Sequence, residues 1–402
     1  MHTVHTLSNG LRVMHLYCKS PIAYVGVAID VGTRDELEDE SGMAHFTEHM
    51  MFKGTRKRRA WQIINRLENV GGQMDAYTTK EDTYVYSIVP TQFVARSVEL
   101  LADVVLNSTF PDEELEKERV VVLDEIDSYK DSPSELIFDE FDEHLFSSDP
   151  MGRPILGSDQ SLKSFDSRRM HSFVDRCYTP DRLLLFCMGD VDGNALLRLA
   201  ERHFSVPCRK SVERPAVIAD SPKFDVNVKM DTNQVHCVIG TRLNSLSDKE
   251  RHAAILLNNI LGGPNMSSLL NMAIRERHGY CYTVESSFVW YIDTAVWTLY
   301  FGCDPENRRK AYSLAMHTLE SLRHTPITPR HLAIAKRQLR GQVLIGSQNK
   351  EAVVLALSKK VLHHESVRTN DEILADIDKL TADDLMRSAN TLFANLSTLT
   401  YQ

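Results

Sequence analysis

A chain of 402 residues is too long for one ordinary hydrophobic core, so two domains of similar size are expected. Its 43% hydrophobic and 25% charged residues are those of a globular protein. A formal net charge of −9 speaks against a nucleic-acid partner. In chain order, alternating residues predict strands at 11–16 and 23–31, and His45-Phe46-Thr47-Glu48-His49 then falls in a predicted helix. A helix at 60–70, strands near 74–78 and 83–89, and three helical stretches between 92 and 146 follow. A helix at 162–177, an apolar strand at 183–188 and a helix at 193–204 complete the first half.

From 205 to 222 the pattern breaks at Pro207, Pro215 and Pro222, which reads as a linker. The second half predicts strands near 224–230 and 234–241, helices at 249–261 and 267–277, and strands at 281–290 and 294–303. Helices at 307–323, 329–345, 350–364 and 382–393 precede a last strand at 397–401. The halves repeat one plan, an α+β architecture of two similar domains, each an antiparallel-rich sheet packed against a layer of helices. The expected boundaries are 1–205, a linker at 206–222, and 223–402.

His45 and His49 sit one helical turn apart on one face with Glu48 beside them, so both rings can reach one metal ion. This H-x-x-E-H pattern belongs to hydrolytic zinc sites, and a solvated His pair is the competing reading. A catalytic zinc takes three protein ligands and keeps a fourth place for water. The segment 111–129 starts like a helix, with Pro111 and the acids Asp112, Glu113 and Glu114 at the positive end of the dipole. Along it Glu118 and Glu125 share a face, with Val121, Val122 and Ile126 as apolar packing; a merely solvated acidic helix is the alternative.

The combination resembles the pitrilysin (inverzincin) family of zinc metallopeptidases, in its two-domain short-chain form, and is similar to the β subunit of the mitochondrial processing peptidase. In that family the motif is followed 76 residues later by a glutamate ligand, the spacing of His49 and Glu125 here, and a second acid seven residues earlier matches Glu118. Gly42-Met43-Ala44, Met51-Phe52-Lys53-Gly54-Thr55 and Gly71-Gly72-Gln73-Met74-Asp75-Ala76-Tyr77-Thr78 look like the family's flanks and edge strand. Arg275 and Tyr282, seven apart, resemble its substrate-binding pair.

The resemblance implies one Zn2+ per chain on His45, His49 and Glu125, with Glu48 as general base and Glu118 orienting a ligand His. It further implies a peptide substrate paired along Asp75 and Ala76 and held by Arg275 and Tyr282. Asp75 stands where the family usually has Asn, and an ionised carboxylate only accepts hydrogen bonds. The implied activity is zinc-dependent endopeptidase hydrolysis of unfolded peptides or oligopeptides inside a closed chamber. Because the zinc motif and the Arg–Tyr pair occur on one short chain, a homodimer with shared sites is expected. A heterodimer with a related subunit, or a non-catalytic assembly subunit, are the alternatives.

In the second copy, 249–255 lacks the motif and 333–339 lacks acids, so chemistry is expected in the first domain only. His363 and His364 point about 100° apart on a helix and read as surface residues. Lys53 and Arg56-Lys57-Arg58-Arg59 read as a solvated helix start, with a phosphate or acidic-substrate contact as the lesser reading. Seven scattered cysteines without a C-x-x-C pair read as reduced core thiols. The first residues lack a basic stretch followed by an apolar one, and no segment is long enough to span a bilayer, so a cytoplasmic, membrane-free location is expected.

Overall fold

A computed structural model describes residues 2–147, 149–218, 223–244, 246–364 and 367–402. The first sheet is built from β1 (His2–Thr6), β2 (Arg12–Tyr17), β3 (Ile22–Ile29), β4 (Gln73–Thr78), β5 (Thr83–Pro90) and β6 (Leu183–Gly189). Its order is β1-β2-β6-β3-β5-β4, antiparallel except for the β2–β6 pair. The second sheet has β7 (Asp225–Val228), β8 (Val235–Asn244), β9 (Thr283–Trp290), β10 (Thr294–Cys303) and β11 (Ser397–Tyr401) in the order β7-β11-β8-β10-β9. Here too one pair, β7–β11, is parallel. The order β2-β6-β3-β5-β4 therefore recurs strand for strand, and the two halves are copies of one α+β plan.

The chain forms two compact units, 1–128 with 153–215 and 349–367, and 129–152 with 216–348 and 368–402. Each unit thus takes one helical segment from the other half of the sequence. The reason lies in the sheets, whose strands are apolar on both faces. In the first unit Val13, Val27, Val85 and Leu185 face the helices of the N-terminal half. Their neighbours Met14, Ala28, Tyr84 and Leu184 point to the opposite face, where Val354, Val361 and Leu362 of the helix Lys350–His363 cover them. With both faces covered, the whole of β6, Leu-Leu-Leu-Phe-Cys-Met-Gly, is buried. In the second unit Ile137, Phe141 and Leu145 of the helix Pro133–Leu145 play the same part against Val238, Val296 and Leu399.

Local sequence expectations also change. Residues 267–277 do not form a regular α-helix, because Asn271–Glu276 is a turn of π-helix, and β9 begins at Thr283. Of the linker expected at 206–222, residues 219–222 lie outside the described residues, and 206–218 contains no helix or strand. Arg214 in that stretch reaches Asp35 at 2.7 Å and Asp30 at 2.9 Å. Five of the seven cysteines are buried, and all are free thiols. Among the described residues no helix is long and apolar enough to cross a membrane.

Candidate metal centre

The helix Met43–Met51 carries the H-x-x-E-H motif. Met43, Ala44, Phe46, Met50 and Met51 pack into the first core, which leaves His45, Glu48 and His49 on the remaining arc. Its start is built by close packing. Gly42 adopts a left-handed φ of +89°, and a Cβ there would meet the Cα of Gly157 at 2.7 Å. No side chain caps the helix from within; instead the buried Glu36 carboxylate accepts the amides of Gly42 at 3.1 Å and Ala44 at 2.9 Å.

The second helix, Asp112–Lys130, opens on three acids, and Leu115, Glu118, Val122 and Ile126 form its buried stripe. Val121, expected as packing, is 50% exposed, because it lies one residue off that stripe. Glu118 and Glu125 face the motif helix. Glu125 Oε2 lies 3.9 Å from His45 Nε2 and 3.7 Å from His49 Nε2, so three ligand atoms meet within 4.8 Å.

This set fits a zinc ion. Tetrahedral zinc bonds of about 2.0–2.1 Å hold their ligand atoms about 3.3 Å apart, close to the separations here. Burial, and then the neighbouring His49, push the His45 pKa down to about 3, which keeps the imidazole in its neutral, ligating form. His45 Nδ1 is buried without a hydrogen-bond partner among the described residues. His49 Nδ1 lies 2.8 Å from Glu118 Oε1, an arrangement that directs the Nε2 lone pair toward Glu125. Burial lowers the His49 pKa, but the Glu118 hydrogen bond and the charges of Glu48 and Glu125 outweigh it and hold it above its ordinary value.

Glu48 is buried beside the triad, and burial raises its pKa despite a hydrogen bond from Thr78 Oγ1 to Oε2 at 2.6 Å. Glu118 is also desolvated, yet hydrogen bonds from His49 and from Lys53, 2.5 Å away, bring its pKa below the usual carboxylate value. Thr78 and Lys53 are the two residues that sequence reasoning missed. Lys53 is not part of a solvated helix start, and neither is Arg58, which pairs with Glu99 and Asp103 at 2.6 Å each. Nothing local in the sequence pointed to these partners, which arrive from other helices.

Asp75 and Ala76 lie on β4, the outer strand of the first sheet. Asp75 accepts from the Ala76 amide at 2.9 Å and lies 3.2 Å from the Tyr86 hydroxyl, whose nearer acceptor is Glu351 at 2.7 Å. In the second unit, Arg275 stands on the π-turn, 3.9 Å from Glu276, and Tyr282 is 65% exposed just before β9. Both line one cavity of about 540 Å³ with Asn258 and Ser286.

A second group, Asp30, Asp82 and His363, also brings ligand atoms within 4.8 Å. Arg214 lies 2.9 Å from Asp30 and Lys359 2.8 Å from Asp82, so two cations already oppose the carboxylates and a divalent ion would be repelled. His363, expected on the surface, is instead 4% exposed and pairs with Asp82. Its helix is the one that covers the first sheet, which turns the ring inward.

Comparisons with known sequences and structures identify the family. Residues 13–159 match the model of insulinase, peptidase family M16, and residues 164–339 match that of the peptidase M16 inactive domain. An uncharacterized zinc protease of Mycobacterium leprae is 34% identical over 96% of this chain and 88% of its own length. The uncharacterized zinc protease YmxG of Bacillus subtilis is 29% identical over 97% and 95%. A protease from Helicobacter pylori superposes with a TM-score of 0.91 at 22% identity, over 100% of this chain and 99% of that one. A peptidase M16 inactive domain structure from Pseudomonas fluorescens gives 0.92 at 17%, over 100% and 98%. With both halves matched and a relative one-third identical along nearly the whole chain, this protein belongs to peptidase family M16.

Proposed function

We propose that the chain is a zinc-dependent endopeptidase that hydrolyses unfolded peptides or oligopeptides, with one zinc ion on His45, His49 and Glu125. The observation that carries this reading is the convergence of both His Nε2 atoms on Glu125 beside a buried Glu48. When bound, zinc supplies Lewis acidity and brings the pKa of water toward about 7. Thr78 anchors one oxygen of Glu48, and the other accepts the proton of the attacking water and passes it to the leaving amine. Glu118 fixes the His49 ring through Nδ1 and is itself held by Lys53. An extended peptide adds to the open side of β4, so main-chain pairing past Asp75 and Ala76 tolerates varied sequences.

The reading extends to a homodimeric chamber in the cytoplasm, each site completed by Arg275 and Tyr282 of the other protomer. Support comes from the M16 inactive-domain match of the second half, which has no counterpart of the metal triad. Elemental analysis and a peptide-library assay test the core claim together. About one zinc per chain is expected in wild type and in Glu48→Gln, with the metal lost in His49→Ala. Glu48→Gln should lower cleavage by at least about 10²–10⁴-fold. Equal zinc in wild type and His49→Ala would sink the ligand set; full zinc with no cleavage by wild type would favour a non-catalytic assembly subunit.

A further inference from the structure

Two short segments support the candidate centre from behind. Residues 32–36 precede the motif helix, and Glu36 among them accepts its Gly42 and Ala44 amides. The turn 79–82 follows β4, whose Thr78 holds Glu48. The two segments are joined through their backbones, since the Thr33 amide donates to the Thr79 carbonyl at 3.3 Å and the Arg34 amide to the Lys80 carbonyl at 2.9 Å. A buried ion pair repeats the link, with Arg34 and Glu81 2.6 Å apart.

A third piece of chain closes over this junction. It belongs to the stretch 206–218, which contains no helix or strand and whose Val212 is 72% exposed. Arg214 departs from that pattern, its side chain being only 10% exposed. Its guanidinium donates from Nε to Asp35 Oδ1 at 3.1 Å and from Nη2 to Asp35 Oδ2 at 2.7 Å. Nη2 also faces the carbonyls of Asp30 at 3.0 Å and Glu81 at 3.3 Å, so one planar fork reaches both segments at once. Arg34 donates in return to the Pro215 carbonyl at 2.8 Å, and Arg182 joins Asp35 at 2.7 Å to the Val212 carbonyl at 2.8 Å. All these residues lie in the first unit. A chain that only spanned the gap between two domains would need none of these bonds.

We infer that Arg214 is a positioning residue of the metal centre, locking together the segments that carry Glu36 and Thr78 so that the motif helix and Glu48 keep their aim. The stretch around it is part of the machinery and not a spacer. Without Arg214, the Asp30 and Asp35 carboxylates repel one another with less cation between them, and residues 32–36 shift. Glu36 moves with them, and with it the acceptor for the first amides of the motif helix. The consequence for Glu48 rests on the peptidase reading above, whereas the consequence for His45 and His49 rests on the metal-ligand set alone.

The test uses the full chain and two readouts. Zinc dissociation constants come from competition with a chromophoric chelator, and kcat and KM from one peptide that a library identifies, at saturating zinc. In Arg214→Ala the zinc dissociation constant should rise about 10-fold and kcat fall about 10-fold with KM unchanged, as for residues that orient metal ligands from behind. Millimolar methylguanidinium should restore both by refilling the fork, and methylammonium at the same ionic strength should restore neither. Arg214→Lys keeps the charge without the fork, so it should unfold in urea near the wild-type midpoint yet share the zinc constant and kcat of the alanine variant. Arg209→Ala, a change at a half-exposed side chain of the same stretch, should match wild type throughout. A role in stability alone predicts wild-type zinc binding and kcat for Arg214→Lys. That result, or a folded Arg214→Ala whose zinc constant stays within about twofold of wild type, overturns the inference. A wild type that binds zinc and cleaves nothing overturns the peptidase reading instead, and the zinc constants then decide the inference by themselves. A wild type that binds no zinc overturns both.

Discussion

Lys53 and Thr78 each hold a carboxylate of the candidate centre in place. Thr78 Oγ1 donates to Glu48 at 2.6 Å, so the carboxylate is fixed in one rotamer before any substrate arrives. Thr78→Val should reduce kcat about 10-fold with KM and zinc content unchanged, and Thr78→Ser should restore the rate, as steady-state kinetics on one cleaved peptide will show. An unchanged kcat in the valine variant would remove Thr78 from the machinery. The motif residues were legible because a helix places positions four apart on one face, and Glu125 because its spacing matched a known pattern. Thr78 and Lys53 were not, since a hydroxyl in a strand and a lysine after a helix carry no periodic signal. Their partners are supplied by the fold.

At the scale of elements, the helix Lys350–His363 is tied down by ions as well as by packing. Asp82 is fully buried, receives Lys359 at 2.8 Å and pairs with His363. Desolvation alone would raise its pKa, but the hydrogen bonds and charges of His363 and Lys359 prevail and depress it below 3.8. A depressed folded pKa stabilises the protein above the unfolded value, and that contribution is lost as pH falls through the folded one. Asp82→Ala should therefore lower the resistance of the full chain to urea by about 3 kcal/mol near neutrality. The gap between wild type and variant should close as pH drops from neutrality to below 3.8. A gap of the same size in acid and at neutrality would remove Asp82 titration from the account.

The same helix shows where sequence reading stops. Its period announced a helix, but period says nothing about which sheet a helix will cover, so His363 was read as solvated. The strands were easier. The apolar runs of β3 and β6 announce themselves, whereas the π-turn at Asn271–Glu276 has the same composition as an ordinary helix.

For the whole molecule, the internal repeat separates the metal residues from the Arg275 and Tyr282 cavity, one in each unit. If sites are completed between protomers, two inactive variants should rescue one another. Glu48→Gln mixed with Arg275→Ala plus Tyr282→Phe, after subunit exchange, should regain activity because one site of each mixed dimer pairs intact parts. Exchange shown by mass with no regained activity, together with an active wild-type monomer in sedimentation, would leave cleavage to a single chain.

The repeat itself was readable, since both halves follow one series of strands and helices. The exchange of segments was not, because the helices 133–145 and 350–363 are placed by the apolar faces they cover and not by their neighbours in sequence. That exchange bears on synthesis. The unit with the metal residues includes 349–367, so a ribosome must make most of the chain before Met14, Tyr84 and Leu184 can be covered. Until then one face of the first sheet stays greasy and in need of shielding. The nascent N-terminal half cannot by itself finish the unit that carries the metal-motif residues, and a chain truncated before Lys350 yields a fragment with that apolar face bare.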